Sequence, residues 1–276
     1  MKTFLVPTDF SKVSDHVLEF AKEMAKTEGA KLVLVYVHPP QVMEDTYPTG
    51  VMIDTIEAMI KSEEENLEKL SKQLQTEGFD CDAIFLTGIP NEQILEVINE
   101  SKPDCVIMGR TGKGGFMDRL FGSTAKGVAM NASCPVIVVP GEAKIEKISK
   151  IAYATQLEFD ETKELKTTFG LAKNYNAEVT LFKVNSPDQP DLIVDEQYLS
   201  EIKVTFRNEK YNYINIDNSS VVEGITSFVK DNDSDLLVMT ARYHSFLDEI
   251  VLPSNTKKII LRIHIPLLIL HSSNPI

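Results

Sequence analysis

Short apolar blocks alternate with longer amphipathic ones along the whole chain. In the first half the apolar runs at 3–6, 31–37, 83–86, 105–108 and 136–139 are bounded by turn residues and predict buried strands. Between them, 12–27, 52–75, 91–99 and 123–130 read as helices. The first helix carries Val13, Val17, Phe20, Ala21, Met24 and Ala25 at three-and-four spacing, with Ser11 as N-cap and Gly29 as C-terminal stop. Glu63-Glu64-Glu65 in the second helix reads as charge on a solvated face. The second half repeats the order, with strands at 150–154, 177–184, 211–216, 236–239 and 266–270 and helices at 162–174, 192–206, 221–230 and 247–260. Strict strand–helix alternation calls for a parallel sheet covered by helices on both faces, because each parallel crossover closes most easily through a right-handed helix.

The halves also match residue by residue. Pro103-Asp-Cys-Val-Ile-Met-Gly-Arg-Thr111 aligns with Ser234-Asp-Leu-Leu-Val-Met-Thr-Ala-Arg242. At the same offset Cys134-Pro-Val-Ile-Val-Val-Pro140 falls on Ile265-Pro-Leu-Leu-Ile-Leu-His271. The openings, Phe4 to Asp9 and Ile151 to Gln156, agree more loosely. With the boundary in the polar segment 141–147, the chain reads as two copies of one domain, at 1–141 and 148–276.

Composition narrows the function classes. Apolar residues at 43% and charged residues at 25% exclude a mainly disordered or collagen-like chain. No apolar run reaches the ~18 residues of a membrane span, and the start of the chain has too short an apolar core for a signal peptide. A net charge of −13 sets the bulk surface against nucleic acid and anionic membranes. Cys81, Cys105 and Cys134 have no metal-type spacing and read as reduced core thiols of a cytoplasmic protein.

Parallel sheets bind ligands beyond the carboxyl ends of their strands, where the strand order reverses. The first strand ends in Pro7-Thr8-Asp9, and the fourth in Met108-Gly109-Arg110-Thr111-Gly112-Lys113-Gly114-Gly115, followed by a helix start at Gly122-Ser123-Thr124. Glycines let backbone amides approach a ligand, and the helix start adds free N–H groups and two hydroxyls. Arg110 and Lys113 add positive charge, and together these parts suit a phosphate chain. A flexible surface turn is the plain alternative, against which three glycines at 112, 114 and 115 and the Gly-Ser-Thr start both argue. The loop matches neither G-x-x-x-x-G-K-[ST] nor G-x-G-x-x-G, and no G-x-S-x-G elbow occurs. The histidines at 16, 38, 244, 264 and 271 have no ligand-pair spacing, and His16 and His38 read as surface or packing residues.

The spacing Gly109-x2-Gly112-x9-Gly122-Ser123 resembles the glycine signature of the nucleotide-binding universal stress proteins. Met108 before it, the opening Pro7-Thr8-Asp9-Phe10-Ser11 and Val37 at the end of the second strand resemble that family too. The resemblance implies an α/β fold of two tandem Rossmann-like (adenine nucleotide alpha-hydrolase-like) domains. Each would be a five-stranded parallel sheet in the order 3-2-1-4-5 with helices on both faces. It also implies ATP as ligand, with ADP or AMP as alternatives. Asp9 and Val37 would hold adenine, Pro7 and Thr8 would shape that wall, and Gly109 and Gly112 would pass close to ribose and phosphates. Gly122, Ser123 and Thr124 would cap the phosphate chain. Arg110 and Lys113 enter from charge alone, and a solvent-facing role is equally open to them. Magnesium could accompany a triphosphate, although no protein ligand set for it is visible.

The second copy departs from this pattern. Gly109, Gly112 and Gly122 become Thr240, Tyr243 and Pro253, Asp9 becomes Gln156, and Ser123 alone survives, as Ser254. This half is expected not to hold ATP in the same way but to act as a structural partner. Dimers of the family pair through their last strands, so 136–139 and 267–270 would meet inside one chain, with a further homodimer left open. Three functions follow: a nucleotide-binding stress or signalling protein without efficient turnover, a slow ATPase or nucleotidyl-transfer enzyme using Asp118, or an interaction module with a vestigial pocket. The absence of an evident general base favours the first.

Overall fold

The computed structural model describes residues 1–40, 50–111, 121–157, 160–187, 195–242 and 254–272. The first half runs β1 (Thr3–Pro7), α1 (Lys12–Glu28), β2 (Lys31–His38), α2 (Gly50–Thr76), β3 (Cys81–Thr87), α3 (Pro90–Ser101), β4 (Cys105–Gly109), α4 (Ser123–Asn131) and β5 (Val136–Val139). The second half repeats the series as β6 (Lys150–Ala154), α5 (Thr162–Tyr175), β7 (Glu178–Asn185), α6 (Asp195–Thr205), β8 (Tyr211–Asp217), α7 (Val221–Asp231), β9 (Leu236–Arg242), α8 (Ser254–Arg262) and β10 (Leu267–Ser272). Ser11 caps α1 through its side chain, and Gly29 ends it in the left-handed conformation, as the sequence predicts. The starts predicted at 192 and 247 lie outside the described residues. Strand β9 runs past the predicted 239 because β10 is longer too, and their ladder continues to Arg242↔Ser272.

Each half has the strand order 3-2-1-4-5, and the two do not remain separate sheets. Strands β5 and β10 pair antiparallel through Leu267↔Val138, Leu268↔Ile137 and Ile269↔Val136. The result is one ten-stranded sheet ordered β3-β2-β1-β4-β5-β10-β9-β6-β7-β8. Side chains alternate between its faces, so Phe4 and Val6 join one core while Leu5 between them joins the other. Buried residues of α1, α2, α5 and α6 cover the first face and those of α3, α4, α7 and α8 the second. Both cores draw on both halves, so the apolar interior is continuous across the junction. Cys81, Cys105 and Cys134 are buried free thiols. No described helix is long and apolar enough to cross a membrane.

The duplication extends to the backbone. The left-handed residues Phe10, Gly29 and Lys102 recur as Leu157, Asn176 and Asp233. Asp104 Oδ2 accepts the Thr3 amide at 2.8 Å, and Asp235 Oδ2 accepts the Lys150 amide at 2.9 Å, so one carboxylate ties the first strand of each half to its fourth. Asp235 also accepts the amide and the hydroxyl of Ser149, each at 2.7 Å.

Polar contacts reinforce the seam. Tyr175 Oη and Asn174 Nδ2 donate to Glu28, both at 3.4 Å. His271, on β10, donates from Nε2 to the Ala129 carbonyl at 2.9 Å. Its burial pushes the imidazole below its ordinary range, although the carbonyls of Ala129 and Cys134 oppose that shift.

Two outcomes follow from these contacts. Asp235→Ala should lower stability by about 1 kcal/mol in urea unfolding, since it strands three donors at a strand entrance that is open to water; an unchanged midpoint would contradict the clamp. For His271, a depressed folded-state pKa means the unfolded chain binds the proton more readily. Its contribution is therefore present above the unfolded value near ~6.5 and is lost as pH falls through the folded value. The wild-type melting temperature should fall more between pH 7 and pH 5 than that of His271→Gln; parallel curves would refute this.

Candidate functional site

In the first half, β1 leads into α1 on one face of the sheet and β4 leads into α4 on the other. The divergence opens a crevice at the carboxyl ends of these strands. A cavity of about 500 Å³ lies there. Its floor is Pro7, Thr8, Asp9 and Ser14 from β1 and α1. Strand β2 contributes Val35 to His38, while Met108, Gly109, Thr111 and Ser123 to Ala125 close the opposite side. Met59 and Glu63 of α2 and Pro90 and Ile94 of α3 complete the wall.

The β1 side is a tight turn. Phe10 has φ 57°, uncommon for a residue with a Cβ, and its amide donates to Thr8 Oγ1 at 3.2 Å. Its ring stacks on Tyr36 with centroids 4.9 Å apart, and Tyr36 stacks in turn on Phe85 at 5.5 Å. The turn folds Asp9 back onto the start of α1, where Asp9 Oδ1 accepts the Ser11 amide at 3.0 Å and the Ser14 hydroxyl. The carboxylate is thereby held at the cavity wall.

On the β4 side glycine is required at 109. A Cβ there would stand 2.9 Å from Val13 Cγ1 and 3.1 Å from the Thr111 carbonyl oxygen. Gly122 is the N-cap of α4 and brings no side chain to cap that helix. The first-turn amides have no intrahelical partner, and Ser123, Thr124 and Ala125 line the cavity. The Gly122 amide itself donates to the Arg110 carbonyl at 3.0 Å, so Gly122 shapes the helix start while its own N–H is engaged.

Arg110 corrects the expectation from charge. Its side chain is buried, lies outside the cavity lining and faces the second half. Nη1 donates to the carbonyls of Ile263 at 2.9 Å, Ile260 at 3.3 Å and Leu261 at 3.4 Å, and Nη2 donates to Glu142 Oε1 at 2.9 Å. A guanidinium at the carboxyl end of α8 satisfies orphan carbonyls and complements the helix dipole. Burial works to raise the pKa of Glu142, but its own amide, Arg110 and His264 outweigh this and hold it below its usual range. Gly112 and Lys113, and with them Asp118, lie outside the described residues.

Sequence reasoning missed the β2 side. His38 is buried, the packing role of the two that the sequence leaves open, and its Nδ1 lies 2.7 Å from Glu63 Oε2. Tyr36 hydrogen-bonds the same carboxylate; burial, reinforced by Glu63 and Asp9, pushes its phenol above the ordinary range. Of the acidic triplet, Glu64 and Glu65 are exposed, whereas Glu63 is half-buried. The signal was available: Ile56, Ile60, Glu63, Leu67, Leu70 and Leu74 form one helical stripe, and only the middle charge breaks it.

The described lining thus offers two carboxylates, an imidazole, several hydroxyls and a helix start with a glycine N-cap, with neither lysine nor arginine. Among the described residues no group of His, Cys, Asp or Glu could hold a metal ion. The duplicate is built differently. Thr240 replaces Gly109 and sits 3.0 Å from the Tyr153 hydroxyl. Thr155 Oγ1 donates to Glu161, which stands in place of Ser14, and the buried Lys183 stands in place of Tyr36. Tyr243 and Pro253 lie outside the described residues.

Tandem doubly wound domains joined through their last strands, with a switch-point crevice in the first, define an architecture shared with known proteins. The profile of the universal stress protein family matches residues 1–140 and again 148–271, and the chain belongs to that family. Universal stress protein MJ0531 of Methanocaldococcus jannaschii is 34% identical over 139 residues, which cover 50% of this chain and 81% of that protein. Universal stress protein YxiE of Bacillus subtilis is 28% identical over 142 residues, covering 49% and 96% respectively. The crystal structure of a universal stress protein from Archaeoglobus fulgidus superposes with a TM-score of 0.77 at 17% identity, covering 98% of both chains. At that identity the likeness concerns the fold.

Arg110→Met should lower stability by about 2 kcal/mol, because it leaves buried acceptors at the end of α8 unsatisfied. Chemical unfolding measures this, and a loss below a few tenths of a kcal/mol would show that the contacts are dispensable.

Proposed function

We propose that the first half binds an adenine nucleotide, ATP in the first instance, and that the second half serves as its built-in structural partner. The observation that carries this reading is the cavity wall at Gly109 and Ser123–Thr124: the end of β4 beside a helix start whose N-cap is glycine, at the spacing of the family's nucleotide signature. In this reading the base lies on the β2 side, between Val37 and Asp9, against Pro7, Thr8 and Met108. Gly109 and Gly112 let the chain approach the ribose and phosphates, while Ser123, Thr124 and the α4 amides receive the phosphate charge, with Lys113 as the nearest cation in the sequence. Magnesium, where present, would ride on the phosphates. Binding coupled to partner contacts fits better than turnover, since Asp9 is engaged by Ser11 and Ser14. Buried reduced thiols and a strongly acidic surface support work in the cytoplasm.

Native mass spectrometry of the purified full chain should show one adenine nucleotide per chain, and calorimetry should return a single site. Ser123→Ala with Thr124→Ala should weaken ATP binding about tenfold. Two equivalents per chain would contradict the asymmetry, and the absence of any adenylate binding would defeat the reading.

A further inference from the structure

We infer that His38 selects the base in this cavity, accepting a hydrogen bond from an exocyclic amino group and so favouring a 6-amino purine nucleotide over a 6-oxo one. The inference rests on the nucleotide reading above and concerns a residue outside the glycine signature. His38 is the last residue of β2, its side chain is 8% exposed, and it lines the cavity. Its Nδ1 lies 2.7 Å from Glu63 Oε2. A carboxylate accepts hydrogen bonds, so Nδ1 is the donor of this pair, and in the Nδ1–H tautomer Nε2 presents a bare lone pair. Among the described residues nothing donates to Nε2. A nine-tenths buried side chain thus holds an unpartnered acceptor in a ligand-sized space.

Position decides what meets it. Strand β2 flanks β1 on the side opposite β4, so His38 stands away from Gly109 and the α4 start, at the end where the base would lie. The apolar lining of the cavity, Val35, Val37, Met59 and Ile94, suits a flat ring. An amino group at that edge satisfies Nε2, whereas a carbonyl oxygen opposes its lone pair and leaves both unpaired. Glu63 is a positioning residue: it fixes the tautomer and is itself held by Tyr36.

ATP and ITP differ at this edge and provide the test, with calorimetry on the full chain. The wild type should bind ATP about tenfold more tightly than ITP. His38→Asn keeps a donor for Glu63 but lacks the far nitrogen, and should bring the ratio close to one, mainly by weakening ATP. Because that variant could be unstable, Glu63→Gln provides a second arm. Long-range ¹H–¹⁵N spectra should show the Nδ1–H tautomer of His38 in the wild type and a mixture in Glu63→Gln, with reduced discrimination. A wild-type Nε2–H tautomer, or an unchanged ATP-to-ITP ratio in folded His38→Asn, would overturn the inference. Equal wild-type binding of ATP and ITP would defeat selection by His38 alone and leave the nucleotide reading standing. Failure to bind either would defeat both.

Discussion

The antiparallel pairing of β5 with β10 is the constraint on which the molecule depends. A five-stranded parallel sheet that ended at β5 would present an apolar edge, Val136 to Val139, to solvent or to other chains. The second half covers that edge with the matching apolar run of β10 and removes both hazards within one chain. Because the pair is antiparallel, the strands of the two halves run in opposite directions. Their carboxyl ends therefore emerge at opposite margins of the sheet, and the first-half crevice lies beside the amino ends of the second-half strands. Arg110, leaving β4, consequently meets the chain between α8 and β10. His271 near the end of β10 meets the last turn of α4 by the same logic. The junction is thus an extended set of contacts, fixed by strand direction, with three residue pairs at its centre.

Within this frame the two halves kept their backbone and changed their chemistry. Left-handed turns recur at 10 and 157, 29 and 176, and 102 and 233, and the same aspartate clamps the first strand in each. Even Thr8 and Thr155 accept the amide two residues on, at 3.2 and 3.0 Å. What differs lies at the strand ends: Gly109 against Thr240, Asp9 against Gln156, Ser14 against Glu161, Tyr36 against Lys183. In the second half Glu161 accepts from the Thr155 hydroxyl and Thr240 pairs with the Tyr153 hydroxyl. A buried polar cluster of this kind must be satisfied internally.

Much of this was legible in the sequence because it rests on periodicity. Apolar runs marked every strand, the two matched segments revealed the duplication, and the glycine spacing located the β4 wall. Pro7, Thr8, Asp9, Val37, Met108, Gly109, Ser123 and Thr124, far apart in the chain, surround one cavity. Arg110 was misread because local charge says nothing of direction, and the acceptors that capture it lie some 150 residues away, on the helix the antiparallel seam brings near. Glu63, and its pairing with His38, escape a local reading for the converse reason. A charge within an acidic triplet and a histidine after a strand have bland local readings, and only their convergence across the α2–β2 packing gives them a site.

That convergence also bears on how an anionic ligand would orient. In a chain of net charge −13, the described cavity wall carries Asp9 on the β1 floor and Glu63 on the β2 side, while the helix start at Ser123 and Thr124 supplies the positive end of a dipole on the β4 side. An anionic group is repelled by the first two and attracted by the third, so the electrostatic gradient runs across β1 from the β2 side to the β4 side. The apolar surfaces of Val37, Met59 and Ile94 lie at the repelling end, where an uncharged ring loses nothing by the carboxylates and gains from burial. Shape, polarity and field therefore favour the same orientation. The field depends on Asp9 being held in place by Ser11 and Ser14, which ties ligand orientation back to the tight turn at Phe10.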